Sequence, residues 1–202
     1  MAFNTVFFDI GGVLFRFEPA RRLKLMSEAS GINIEKLQVE LWDSGFSDAC
    51  DRGEFDSEQM YDSARDLLDW DPGIAEFRRL WASAFELETG VFEIALSLRG
   101  GIKKGILSNN PQILREAIKE NYPQVEETFA PIVFSHAHRS CKPNSALFET
   151  ALSEAGCIAA EAVLVDDSDA YVTVAKEIGM NAIRFDSVEQ LRCNLSQIGL
   201  LQ

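Results

Sequence analysis

Residues 3–17 read FNTVFFDIGGVLFRF. An apolar, β-branched run carries one carboxylate, Asp9, directly into Gly11 and Gly12. The run has the pattern of a buried strand. An acid at its end, followed by backbone free to bend, is placed for chemistry at the strand's carboxyl edge. Further short apolar runs lie outward from it: KKGILS (103–108), PIVFS (131–135), AVLVD (162–166) and NAIRF (181–185). Amphipathic segments follow, namely PQILREAIKE from Pro111, PNSALFETALSEAG from Pro143, DAYVTVAKEIG from Asp169 and SVEQLRCNLSQIG from Ser187. Pro111 and Pro143 stand where a first helical turn is expected, a position that tolerates a missing N–H. This alternation predicts an α/β fold, a Rossmann-like parallel sheet with helices on both faces. Ligands of such sheets bind beyond the carboxyl ends of the strands.

Residues 19–90 interrupt the alternation with four helical stretches: PARRLKLMSEAS, NIEKLQVELWDSG, DSEQMYDSARDLLDW and PGIAEFRRLWASAFE. The expected organisation is a core of residues 1–17 and 91–202, with a small helical insertion at 18–90 over the same end of the sheet. At 202 residues, 47% hydrophobic and 25% charged, the chain can bury a core of this size. The net charge of −13 argues against nucleic acid or an anionic membrane as the main partner. No apolar stretch reaches the roughly 20 residues of a membrane span, and the N-terminus lacks a signal-peptide pattern. Cys50, Cys141, Cys157 and Cys193 are isolated, as expected of free thiols in a reducing cytoplasm. A monomer or homodimer is expected.

Polar residues collect at the ends of successive strands. The first delivers Asp9, the second Ser108, Asn109 and Asn110, the fourth Asp166, Asp167 and Ser168, and Lys142 follows the third. On a parallel sheet all of these land on one edge. Three carboxylates converging there require a cation, and an oxygen-rich set suits Mg²⁺, which often shares a phosphate. Asp9 with a lysine opposite suits an aspartyl nucleophile attacking phosphorus.

In order and interval, FFDIGGVLF, ILSNN, CKP and VLVDDSDA resemble the four motifs of the haloacid dehalogenase-like (HAD) hydrolase superfamily. The helical insertion is similar to its small α-helical cap. The nearer likeness is to the α-D-glucose-1-phosphate phosphatase-like branch, whose first motif also reads Asp-x-Gly; DRGEFDSEQM and NYPQVEE resemble that branch too. The resemblance implies a Mg²⁺-dependent phosphatase acting on a small phosphorylated metabolite, a sugar phosphate in that branch. It implies Asp9 as nucleophile, the Gly11 carbonyl, Asp9, Asp167 and Asp166 around Mg²⁺, Ser108 and the Asn109 amide on the phosphoryl oxygens, and Lys142 offsetting charge on Asp9 and phosphate.

Most phosphatases of the superfamily carry a second aspartate where Gly11 stands. That residue protonates the leaving oxygen and later activates water, help worth about 10²–10⁴ in rate. Another group could substitute, turnover could be slow, or the substrate could need little help, as a sugar 1-phosphate does with its more acidic anomeric hydroxyl. Candidate substitutes are Glu18, Asp51, Glu54, His136 and His138, the two histidines being the side chains whose ordinary titration lies nearest neutrality. The branch places an aspartate and an asparagine where Ala170 and Tyr171 stand here, and the glycine usual before the third-motif lysine is missing.

Phe15, Arg16 and Phe17 follow the first motif closely enough to touch substrate. Trp42, Phe46 and Arg52 belong to a helix end and loop expected to face the catalytic edge; Tyr61, Trp70 and Trp81 are expected in the core of the insertion. Two other functions compete. Dehalogenation of a 2-haloacid would leave Asp166 and Asp167 uncompensated. A phospho-ligand-binding or regulatory protein would retain Asp9, Lys142 and the acidic pair without turnover.

Overall fold

The structure is a computed structural model and describes residues 3–201. Five parallel strands form the sheet: β1 (Thr5–Phe8), β4 (Lys103–Ser108), β5 (Ile132–Phe134), β6 (Ala162–Asp166) and β7 (Asn181–Arg184), in the order β5-β4-β1-β6-β7. The chain winds one way from β1 through β4 and β5, then crosses back to β6 and β7. The central strand β1 is thus the switch point, where open parallel sheets bind ligands.

Alternate residues of the strands face opposite sides. Val6, Phe8, Ile106, Val163 and Val165 belong to one core cluster, and Phe7, Leu107, Val133 and Leu164 to the other. The first cluster takes in residues of α6 (Thr89–Leu96), α7 (Gln112–Asn121), α8 (Pro123–Thr128) and α12 (Val188–Gln197). The second takes in residues of α10 (Ser145–Ala155) and α11 (Asp169–Glu177). A single turn, α9 (Ser135–His138), follows β5.

Two short strands, β2 (Phe15–Phe17) and β3 (Phe85–Leu87), pair antiparallel, with Phe17 opposite Phe85. Between them run α1 (Pro19–Ser30), α2 (Ile34–Gln38), α3 (Phe46–Asp51), α4 (Ser57–Leu68) and α5 (Ile74–Ala82). Met26, Leu37, Leu41, Met60, Phe77 and Trp81 from this insertion join the same buried cluster as β1. An Asp56–Gln59 capping box starts α4.

The sequence patterns agree with the sheet and its main helices, but several local expectations need correction. The second helical stretch of the insertion leaves α-geometry at Gln38 and continues as a π-helical turn, Val39–Asp43. The stretch expected as loop contains α3. The fourth ends at Ala82, because the chain straightens to pair β3 with β2. Pro143 precedes α10 rather than opening it, Asn144 being the cap whose side chain accepts from the Ala146 amide. Pro111 likewise occupies the cap position of α7. Among the described residues no helix is long and apolar enough to cross a membrane.

Candidate active site

Asp9 lies just past β1, its amide bonded to the Val165 carbonyl and the residue only 7% exposed. Ser108, ending β4 alongside, donates Oγ–H to Asp9 Oδ1 at 2.6 Å and accepts from Asn110 Nδ2 at 2.8 Å. The Lys142 ammonium sits 3.0 Å from the same Asp9 oxygen, 2.6 Å from Asp166 Oδ2 and 3.0 Å from the Leu107 carbonyl, so its three N–H groups are all engaged. Its backbone is fixed by a reciprocal pair with Asn109: Lys142 N–H donates to Asn109 Oδ1 and Asn109 Nδ2 to the Lys142 carbonyl, both at 2.8 Å. The Tyr171 ring covers the ammonium at 4.8 Å.

Burial alone would lower the Lys142 pKa, but Asp9 and Asp166 outweigh it and hold it above the ordinary lysine value. Burial pushes the Asp166 carboxyl up, and so does Asp9, against the pull of Lys142. Asp166 Oδ1 also accepts from the Ser168 amide at 2.9 Å. Asp167 is raised by burial and by Asp9. One oxygen from each of Asp9, Asp166 and Asp167 lies within 4.8 Å of the others, a donor set of the kind hard divalent cations take.

A cavity of roughly 500 Å³ opens from this edge towards the insertion. Asp9, Gly11, Ser108, Asn109, Lys142 and Asp167 line it from the sheet side; Trp42 and Arg52 line it from the insertion. Asp166 lies behind, fully buried. Three of the substrate-contact candidates are not brought to the cavity. Phe15 is wholly buried, edge-on to Tyr122, because β2 turns it inward. Arg16, its neighbour on the strand, faces outward and pairs with Glu86 at 2.8 Å. Phe46 is 8% exposed and lies against Phe55 as the first residue of α3. Of the five substitutes for the missing carboxylate, Asp51 alone is in the cavity wall. His136 bonds the Asn110 carbonyl through Nδ1 at 2.9 Å, and burial lowers its pKa; His138 approaches Glu154 at 3.5 Å. At Gly11 a Cβ would sit 3.4 Å from the Phe85 ring, so a side chain there would start against an aromatic face.

Phe17, the third candidate after the first motif, does line the cavity, and so do Arg22, Asp48, Trp81, Phe85 and Tyr171, which were not singled out as site residues. Arg22 carried one legible signal: it stands four residues before Met26 in α1, on the stripe that turns inward, and both are buried. Phe85 had none, since a three-residue strand has too few residues to display a period.

A family model described as haloacid dehalogenase-like hydrolase matches residues 55–185, more than half of the chain. The chain belongs to the haloacid dehalogenase-like hydrolases. No curated protein sequence matches it. Among solved structures, it is similar to a HAD family enzyme of Bacteroides thetaiotaomicron in complex with magnesium and inorganic phosphate, at 22% identity and a TM-score of 0.80, covering 92% of this chain and 95% of that one. A predicted HAD-like family hydrolase of Porphyromonas gingivalis gives 18% identity, a TM-score of 0.83 and 98% coverage of both. The L-2-haloacid dehalogenase of Xanthobacter autotrophicus gives 19%, 0.66, and 99% and 84%. At such identities the likeness is one of fold.

Proposed function

We propose that the protein is a Mg²⁺-dependent phosphatase that hydrolyses the phosphomonoester of a small metabolite, a sugar phosphate, through an aspartyl-phosphate on Asp9. The convergence of Asp9, Asp166 and Asp167 beside the Lys142 ammonium carries this reading. The all-oxygen set fits Mg²⁺, which Asp9, the Gly11 carbonyl, Asp167 and, directly or through water, Asp166 would hold. When bound, such an ion offsets the negative charge of phosphate and carboxylates and polarises the phosphoryl oxygens. The magnesium and phosphate in the Bacteroides enzyme are consistent with that pairing.

Ser108 and Lys142 both hold Asp9 Oδ1, leaving Oδ2 as the attacking oxygen. It forms a bond to phosphorus while the bond from phosphorus to the metabolite oxygen breaks, that oxygen leaving with the electron pair. The Asn109 amide orients the equatorial oxygens while Ser108 holds Asp9, and Lys142 offsets the negative charge of Asp9 and of the phosphate. Water then attacks the same phosphorus, frees phosphate and restores Asp9; the proton it releases balances the one taken up by the departing alkoxide. With Gly11 in place of a carboxylate, an anomeric oxygen is the favoured leaving group, because it needs least protonation. That agrees with the glucose-1-phosphate phosphatase-like branch. The insertion acts as the cap that closes the cavity over the substrate.

The apolar surroundings of Gly11 also favour a second reading, a protein that binds a phospho-ligand without turnover. Assaying p-nitrophenyl phosphate and a sugar-phosphate panel with Mg²⁺ or EDTA, beside Asp9→Asn, separates the two. Phosphate release that needs Mg²⁺ and falls to background in the variant is expected, with glucose 1-phosphate turned over faster than glucose 6-phosphate. Binding without release points to the second reading. Metal-independent halide release from a haloacid would replace both by dehalogenation.

A further inference from the structure

Arg22 is a buried cation in the wall of the cavity, 3% exposed. Its Nε donates to the Trp81 carbonyl at 2.6 Å, and among the described residues no other protein group accepts from the guanidinium and no carboxylate comes within ion-pair distance. Four rings frame it: Trp81 at 4.5 Å, Phe85 at 5.5 Å, Trp42 at 5.6 Å and Phe17 at 5.8 Å from the guanidinium carbon. Such contacts offset part of the cost of burying the charge, yet they accept no N–H in its plane. A guanidinium has five donors, and a buried charge is costly unless it is paired.

The neighbouring charges do not cancel it. Asp51 lines the same wall, but burial pushes its carboxyl up to about 8 even against the pull of Arg22, so it is protonated at neutral pH. Arg52 is taken by Glu54 at 2.7 Å, and Asp48 is exposed. The insertion side of the cavity thus presents one guanidinium, whose pKa burial lowers to about 9 and which is still charged at neutral pH, beside a carboxyl that can itself donate. That arrangement complements an oxyanion, which accepts from both.

We propose that Arg22 is a specificity-determining residue, the centre of a second anion subsite that binds a carboxylate or further phosphate on the part of the substrate that leaves. The inference rests on the phosphatase assignment above and narrows its substrates to phosphomonoesters carrying a second acidic group. Three compounds built on one ring test it: glucose 1-phosphate, glucose 1,6-bisphosphate and glucuronic acid 1-phosphate. Wild type is expected to favour at least one of the doubly acidic esters over glucose 1-phosphate by about 10- to 100-fold in kcat/KM, the range of one charged hydrogen-bond set. Which one leads tells phosphate from carboxylate. In Arg22→Met this preference collapses, while Arg22→Lys, which retains charge without the planar fork, restores part of it.

Equal or higher kcat/KM for glucose 1-phosphate in wild type overturns the proposal. So does an unchanged ratio in Arg22→Met when all three rates fall together, the signature of a merely structural arginine. If wild type hydrolyses none of them, the phosphatase assignment fails separately. Calorimetric affinities of the three esters for Asp9→Asn and for Asp9→Asn/Arg22→Met, with Mg²⁺, then decide the subsite by the same ratio. Should Arg22→Met fail to fold, the drop from wild type to Arg22→Lys in that ratio decides it.

Discussion

A methyl group at Gly12 would lie 2.3 Å from Asp167 Oδ2, on a residue whose φ of +80° already disfavours any side chain. The first-motif loop and the fourth-motif acid therefore approach as closely as they do only because this residue lacks a Cβ. Gly12→Ala is expected to displace Asp167 and raise the Mg²⁺ concentration for half-maximal phosphatase activity by about tenfold or more, roughly the effect of one lost ligand contact; a metal titration of initial rates checks it. Unchanged metal dependence would separate Asp167 from the ion. Asp9, Ser108, Asn109, Lys142 and the acid pair were legible in the sequence because each ends a strand or begins the next segment, where topology alone delivers it to one edge. Phe85 was not, and Arg22 showed only its place on the inward stripe of α1, since what brings both to the cavity is the three-dimensional path of the insertion. Phe15 and Arg16 misled for a related reason: nearness in sequence to Asp9 says nothing of which way a short paired strand turns its side chains.

Elements are joined to one another by a few buried polar groups. Ser135, at the start of α9, accepts from the Asn110 amide at 3.0 Å and donates to the Asp51 carbonyl at 2.6 Å. One hydroxyl thereby ties the β4 loop to the end of α3, and Gly53 runs so close that a Cβ there would lie 2.1 Å from the His136 carbonyl oxygen. Ser135→Ala leaves both partners without it and is expected to cost about 1–3 kcal/mol, read as a lower denaturant midpoint at constant m-value. The same change loosens the wall that carries Asp51. At this scale the long elements could be read from periodicity, five strands and their flanking helices included. The exceptions were β2, β3, α3, α8 and α9, each of three to six residues, and α6 of eight, too short to complete a pattern and fixed instead by what they touch.

Across the whole molecule, the insertion and the sheet share one apolar cluster, with Met26, Phe77 and Trp81 in the same interior as Val6 and Phe8. Arg78 of α5 adds a polar tie to α7, reaching Glu116 at 3.1 Å and Glu120 at 3.5 Å. Stability is consequently a property of both parts together, and a titrating group in the insertion acts on the fold as a whole. Asp51 is such a group. Its acid is raised to about 8 when folded, so below about pH 4 it is protonated in both states, and between there and pH 8 the folded chain retains a proton that the unfolded chain releases. Its contribution is therefore full at acid pH and is lost as pH rises. Asp51→Asn is expected to melt above wild type at pH 8, by about 2–4 °C for each kcal/mol recovered, and level with it at pH 4. Equal melting at both pH values would mean an ordinary carboxyl.

The β2–β3 pair has an engineering consequence. Phe17 and Phe85 face each other across the ribbon, so the peptide departs from and rejoins the Rossmann-like body at almost one point. A tight turn of about two residues could bridge that gap. Deleting everything between would strip cover from an oily surface and invite precipitation, whereas grafting another helical module of matching underside onto the same two stumps would exchange what the pocket recognises and spare the machinery beneath it.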